Sequence, residues 1–281
     1  MAETPRATDR EGIRDLLETA AAIAESAGAI ALRHFRKPLD VEDKSAGEDF
    51  DPVTVADREI ESFIRKELVR RHPDHGILGE EEAALESDSA YRWVIDPIDG
   101  TRAFVSGVPA WGILLGLTID GACAAGVMHQ PYLGETFLGS GPDAPDRGAW
   151  LRRSGSTTPI ASRRNARLSD AILYSTHPSM FESEASRSAF DRVADSCRMM
   201  RYGGDCYSYC LLALGQIDLV IEEGLQPYDI IPLIPIIVGS GGVVTNWQGG
   251  DASAGGRIIA AANETLHAQA LDTLNSGPLS K

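Results

Sequence analysis

The feature that most constrains this chain is a short apolar run that ends in acid. Trp93-Val94-Ile95 leads directly into Asp96-Pro97-Ile98-Asp99-Gly100-Thr101. Arg92 to Asp96 reads as a strand, so Asp96 sits at a strand end. Pro97 fixes the backbone that follows, and Asp99 can turn toward the same point as Asp96. The carbonyl of Ile98 can add a third oxygen. Gly100 lets the backbone approach a ligand closely, and Thr101 can start a helix whose free N–H groups would hold a phosphate. Carboxylates on one side and a helix N-terminus on the other suit a phosphate bridged by a divalent metal. Taken alone, the segment reads equally well as a turn, because Asp and Gly are common turn formers.

Two further segments place acids against apolar sequence. Gly79-Glu80-Glu81-Glu82 follows Gly76-Ile77-Leu78, and Asp229 lies between Leu225-Gln226-Pro227-Tyr228 and Ile230-Ile231 at an expected helix start. Alone, the first suits a solvated acidic loop and the second a helix N-cap. Their weight comes from occurring together and in this order.

Composition narrows the classes. The 281 residues carry a net charge of −15, with 43% hydrophobic and 24% charged side chains, which fits a globular chain and excludes a disordered or fibrous one. The length suits one large domain or two fused ones. The acidic excess argues against nucleic-acid and anionic-membrane partners, and it supplies the oxygen donors that hard cations prefer. The four cysteines form no CxxC pair, and no run approaches membrane-spanning length, so the expectation is a soluble protein of a reducing cytoplasm. The six histidines are scattered and show no metalloprotease or triad-like context.

Along the chain, apolar spacing predicts a helix over residues 10–35. Thr54, followed three residues later by Asp57, predicts a capped start to a second helix through Ile60, Phe63, Ile64 and Leu68. Strands are expected at 112–119 and 122–129, joined by the hairpin dipeptide Asp120-Gly121. Beyond a polar junction at 152–167, strands near 172–175, 198–202, 218–221, 242–246 and 258–262 alternate with helical stretches. An α+β half over 1–155 and an α/β half over 156–281 follow from this pattern. Cys206 and Cys210, four apart, should share a helix face.

Together these motifs resemble the inositol monophosphatase family of Mg²⁺-dependent, lithium-sensitive phosphatases. The family's Gly-Glu-Glu stands here as Gly79-Glu80-Glu81, and its Asp-Pro-(Ile/Leu)-Asp-Gly-Thr as Asp96 to Thr101. Its late Trp-Asp stands as Tyr228-Asp229, followed by Gly241-Gly242-Val243-Val244. Asp51-Pro52-Val53-Thr54-Val55-Ala56-Asp57 matches an upstream motif, with Lys44 as a counterpart of the family's lysine. The match spans about residues 12–275. Residues 201–209 and 217–229 are most similar to the histidinol-phosphatase branch, in which Asp205 stands where inositol phosphatases carry a small residue. One departure is Pro232 and Pro235 within the helix expected after Asp229. Pro232 is expected in its first turn, and Pro235 is expected to bend it.

The resemblance implies a layered αβαβα sandwich of the inositol monophosphatase and fructose-1,6-bisphosphatase kind, with the site where the halves meet. It further implies two or three Mg²⁺ ions held by Asp57, Glu80, Asp96, the Ile98 carbonyl, Asp99 and Asp229. Glu80 and Thr101, the latter hydrogen-bonded to Asp57, would orient and activate an attacking water. Gly100, Thr101 and Lys44 would hold the phosphate, while Asp99, Asp205 and Glu222 would face the substrate. A homodimer is implied by resemblance. The preferred activity is hydrolysis of L-histidinol phosphate, whose ammonium suits an extra acid. The alternatives are an inositol-1-phosphate or broad sugar-phosphate phosphatase, and a non-catalytic binding module on the same fold.

Overall fold

The structure, a computed structural model, describes residues 8–37, 41–43, 52–142, 144 and 147–277. Helix α1 (Thr8–His34) is followed by a two-stranded ribbon, β1 (Val41–Asp43) with β2 (Pro52–Thr54), and by α2 (Val55–Arg71). A seven-stranded sheet then runs in order through β3 (Gly76–Gly79), β4 (Tyr91–Asp99), β5 (Gly112–Ile119), β6 (Ala122–Gln130), β7 (Glu135–Ser140), β8 (Gly148–Arg153) and β9 (Ser156–Pro159). Helix α3 (Thr101–Ser106) interrupts it after β4. The remaining elements are β10 (Ile172–Ser175), α4 (Glu184–Ser196), β11 (Met199–Tyr202), α5 (Asp205–Ala213), β12 (Leu219–Leu225), α6 (Pro227–Ile230), α7 (Ile234–Gly239), β13 (Val243–Asn246), β14 (Gly256–Ala261) and α8 (Glu264–Asn275). Their strands form a five-stranded sheet of order β11-β10-β12-β14-β13.

Local chemistry explains the boundaries that matter. Thr54 caps α2: its hydroxyl accepts from the Ala56 N–H at 3.1 Å, and Asp57 accepts back from the Thr54 N–H at 2.8 Å. Asp120 and Gly121 both take the left-handed conformation, with φ of 50° and 81°, as a tight hairpin between twisted strands requires.

Side-chain alternation sorts the strands into layers. On β5, Ile113, Leu115 and Leu117 enter a core shared with α1 and α2, whereas Leu114 points into a second core with α5 and α7. On β12, Leu219 and Ile221 pack toward α4 and α8, while Val220 joins the middle core. The stacking is therefore helices, seven-stranded sheet, helices, five-stranded sheet, helices: the αβαβα sandwich. Glu222, two residues after Val220, shares its face and is carried toward the middle layer.

The middle layer sits unusually close to the first sheet. Gly116, Gly126 and Gly139 stand in register on three neighbouring strands. A Cβ at Gly126 would lie 1.8 Å from the Pro232 carbonyl oxygen, and one at Gly139 would lie 2.3 Å from the Ile236 nitrogen. The glycine row forms a trough that accepts backbone. This corrects one expectation: the single helix after Asp229 is two, α6 and α7, split by the turn at 231–233. Pro235 lies in the first turn of α7, where its missing N–H has no intrahelical acceptor to lose. It starts a helix and bends none. Cys206 and Cys210 share the buried face of α5, as their spacing implies. Among the described residues no helix is long and apolar enough to cross a membrane.

Candidate active site

The site is built at the end of β4. Residues three apart on a regular strand point to opposite faces, yet here the register against β5 shifts: Asp96 faces Leu114, and Asp99 faces Gly112. The bulge at Pro97-Ile98 turns both carboxylates to one side. Asp96 Oδ1 accepts from the Ile98 N–H at 3.0 Å, which fixes the curl. Gly100 follows with φ 83°, and a Cβ there would lie 3.0 Å from Asp205 Cβ and 3.1 Å from Trp111 Cα. Only glycine meets both conditions. Thr101 then opens α3, which is backed by Phe104 packed against Phe35 and Trp111, with ring centroids 5.4 and 4.8 Å apart.

Two other elements add acids. Glu80 leaves the end of β3, and β3 pairs in parallel with β4 so that Gly79 lies beside Ile95. Asp229, in the first turn of α6, accepts from the Gln226 N–H at 2.7 Å. Asp96, Asp99 and Asp229 each bring a carboxylate oxygen within 4.8 Å of the others, and Asp96 is in hydrogen-bond contact with Glu80 and Asp229. Burial raises the carboxyls of Asp96 and Asp99 well above the usual range. Next in weight come the charge of Glu80 beside Asp96 and that of Asp229 beside Asp99. Asp229 is raised to about 7, again chiefly by burial.

This donor set fits a hard divalent cation. Among the described residues, none of Asp96, Asp99 and Asp229 forms a salt bridge, and each is held in a negative environment that protons or a cation must offset. All donors are oxygens, with no imidazole or thiolate in the group, which favours Mg²⁺-like over Zn²⁺-like chemistry.

The later half of the chain closes the other side. The Cys206 N–H, in the first turn of α5, donates to Asp99 Oδ1 at 3.0 Å and ties α5 to the end of β4. Asp205, just before it, has φ 42°, and burial with the nearby charge of Glu222 raises its carboxyl to about 7. Glu222 is buried. Its Oε1 accepts from the N–H and hydroxyl of Thr176 at 2.8 and 2.6 Å, and its Oε2 accepts from the Tyr209 hydroxyl at 2.8 Å. These groups enclose a cavity of about 190 Å³ lined by Glu80, Asp96, Ile98, Asp99, Gly100, Thr101, Asp205, Glu222 and Asp229, together with Thr176, Met180, Cys206, Tyr209 and Leu225.

Two expectations change, and one falls outside the described residues. Asp57 does not line the cavity. Its Oδ2 accepts from the N–H and hydroxyl of Thr54, and burial raises its carboxyl to about 6. The Thr101 hydroxyl donates to the Ile98 carbonyl at 3.1 Å and not to Asp57, because the bulge places that carbonyl directly over the first turn of α3. Lys44 lies outside the described residues. Sequence reasoning did not find Thr176, Met180, Tyr209 or Leu225. Each is an ordinary residue in its own segment, and only the packing of the second sheet brings them together.

A carboxylate cluster at a strand end, inside a five-layer sandwich and facing an open, acid-lined cavity, fits a metal-assisted phosphate-ester hydrolase. The sequence profile of the inositol monophosphatase family matches residues 13–278, and the chain belongs to that family of metal-dependent phosphatases acting on small phosphorylated substrates. Bifunctional phosphatase IMPL2, chloroplastic, of Arabidopsis thaliana is 38% identical over 90% of this chain and 73% of its own length. A histidinol-phosphatase of Chlorobaculum parvum is 32% identical over 93% of this chain and 97% of its own. A solved inositol monophosphatase from Zymomonas mobilis superposes with a TM-score of 0.80 at 35% identity, covering 96% of this chain and 99% of its own.

Proposed function

We propose that this phosphatase hydrolyses L-histidinol phosphate with Mg²⁺ as its resident ion. The observation that carries the reading is the charge layout of the cavity. Beside the cluster of Glu80, Asp96, Asp99 and Asp229, the cavity lining carries two further acids, Asp205 and Glu222, and Asp205 stands against Gly100, where an added Cβ would lie 3.0 Å from its Cβ. Such a pocket suits a molecule that carries an ammonium close to its phosphate ester, as L-histidinol phosphate does on the neighbouring carbon. The similarity to a protein named histidinol-phosphatase supports the same choice.

On this reading Glu80, Asp96, the Ile98 carbonyl, Asp99 and Asp229 would hold two or three ions, while Asp57, outside the cavity lining, caps α2 beside them. The ions would supply charge neutralisation at the phosphoryl oxygens and leaving alkoxide and would acidify water. Glu80, in contact with Asp96, would take a proton from the attacking water. Thr101, its hydroxyl proton already given to the Ile98 carbonyl, would present an acceptor lone pair to orient that water. The N–H groups of Gly100 and Thr101 would hold the phosphate. Asp205 would meet the substrate ammonium directly, since Glu222 already accepts three hydrogen bonds and serves as the charged floor behind it. The four free cysteines suit the reducing cytoplasm as compartment, and a homodimer belongs to the reading by resemblance.

The test is kcat/KM with Mg²⁺ on L-histidinol phosphate beside inositol 1-phosphate. A preference for L-histidinol phosphate of about tenfold or more is expected. The reverse preference would move the protein to the second reading, an inositol or sugar-phosphate phosphatase, which the Zymomonas mobilis likeness favours. A binding module on the same fold would require that Asp96→Asn abolish hydrolysis without affecting the protein's biological role.

A further inference from the structure

Beside the cavity, α2 carries a buried carboxylate that the mechanism does not use. Glu61 has no exposed surface. Its Oε2 accepts from the Glu81 N–H at 2.7 Å, and its Oε1 accepts from the Glu82 N–H at 3.0 Å and from Arg65 Nε at 2.7 Å. Arg65 in turn donates through Nη2 to the Glu82 carbonyl at 2.8 Å. The turn after β3 is thus held from both sides, its N–H groups by a carboxylate and its carbonyl by a guanidinium. The fit leaves no slack, because a Cβ at Gly79 would lie 2.1 Å from Glu61 Oε1.

We propose that Glu61 and Arg65 are positioning residues that fix the turn bearing Glu80, and that they thereby set the affinity of the site for its divalent ion. This inference rests on the reading of Glu80 as an ion ligand. Glu80 lies past the last β3–β4 ladder pair, Gly79 with Ile95, so the sheet does not fix its backbone. The next cross-strand pairing of this segment is the Ile77–Leu85 bridge. Between those points the two amide bonds to Glu61 and the carbonyl bond from Arg65 hold the chain, immediately after Glu80. A full carboxylate is needed for this task. It accepts convergent amide hydrogens on both oxygens, which a carboxamide can do on only one. Its charge is offset at close range by the i,i+4 partner Arg65, so the buried ion is not left alone.

The variants Glu61→Gln and Arg65→Gln test the assignment, read first by amide hydrogen exchange of the metal-free protein and then by Mg²⁺ titration. In Glu61→Gln, exchange in a peptide covering residues 79–84 should quicken by at least about tenfold, while peptides from β5 and β12 keep the wild-type rate. The Mg²⁺ concentration for half-maximal activity should rise on the order of tenfold, with a smaller loss of kcat at saturating Mg²⁺. Arg65→Gln should move both readouts in the same direction by less, and it stands in if Glu61→Gln does not fold. Wild-type exchange at 79–84, or faster exchange with unchanged Mg²⁺ dependence, would overturn the proposal. Glu80→Gln separates the underlying reading: if it leaves the Mg²⁺ dependence unchanged, Glu80 is not a ligand.

Discussion

Replacing Asp229 by Asn should make the metal-free protein more stable while removing its response to Mg²⁺. Asn keeps the size of the side chain and its acceptor for the Gln226 N–H, so the capping bond at 2.7 Å survives. What it removes is one of three carboxylates whose oxygens lie within 4.8 Å of one another. Two unit charges at 4.8 Å repel by about 3.5 kcal/mol at an effective dielectric of ~20. The pKa gives a similar figure: a rise from 3.8 to about 7 means the ionised form is disfavoured by about 4 kcal/mol in the folded state. Partial access to water lowers the expected gain to ~2 kcal/mol. For a chain of this length that is a Tm rise of about 3 °C.

The sign depends on pH. Because the folded pKa is raised, the native protein binds more protons than the unfolded chain between pH 4 and 7, and its metal-free stability falls as pH climbs through that window. The variant lacks that contribution to the fall, so its advantage should be small at pH 5 and full at pH 8. Differential scanning fluorimetry at both pH values, with chelator and then with Mg²⁺, gives the four numbers needed. A variant less stable than wild type at pH 8 in chelator would refute the electrostatic reasoning. Retention of the wild-type Mg²⁺-induced Tm gain would refute the role of Asp229.

Three further outcomes follow from the same geometry. Gly126→Ala places a methyl 1.8 Å from the Pro232 carbonyl oxygen and should cost at least about 3 kcal/mol, or ~5 °C in Tm; an unchanged Tm would mean that the turn at 231–233 is not seated in the glycine trough. Glu222→Gln should reduce kcat/KM for L-histidinol phosphate about tenfold more than for inositol 1-phosphate, whereas equal losses would remove the charge on Glu222 from substrate selection. Mg²⁺ binding at pH 6.5 should release protons, because the Asp229 carboxyl, raised to about 7, is largely protonated there and Asp96 and Asp99 are raised in the same direction. Calorimetry in buffers of different ionisation enthalpy measures this, and proton uptake at pH 6.5 would contradict it.

What could be read from sequence was what local chemistry decides. Thr54 and Asp57 cap α2 because the reciprocal bonds need only residues three apart. Asp120-Gly121 turns the hairpin because both residues tolerate positive φ. The run from Asp96 to Thr101 carries its own proline, glycine and helix start, so most of the site's backbone was visible in six residues. Contacts set by packing were not visible. Nothing local to Thr176 or Tyr209 marks them as donors to Glu222, which reaches them only after β10, α5 and β12 assemble. Glu61 reads as one more acid on an amphipathic helix until the turn at 80–82 folds onto it. The break between α6 and α7 depends on glycines some hundred residues earlier, whose missing side chains let Pro232 and Ile236 approach the sheet.

The central claim, a carboxylate site that needs a divalent ion to hydrolyse a cationic phosphate ester, is tested most directly by one titration. Phosphate release from L-histidinol phosphate is followed as Mg²⁺ is added to chelator-treated protein, with Asp96→Asn in parallel. The account predicts no turnover before addition, saturable turnover as Mg²⁺ rises, and none at any concentration in the variant. Turnover in chelator, or wild-type turnover by Asp96→Asn, would contradict it.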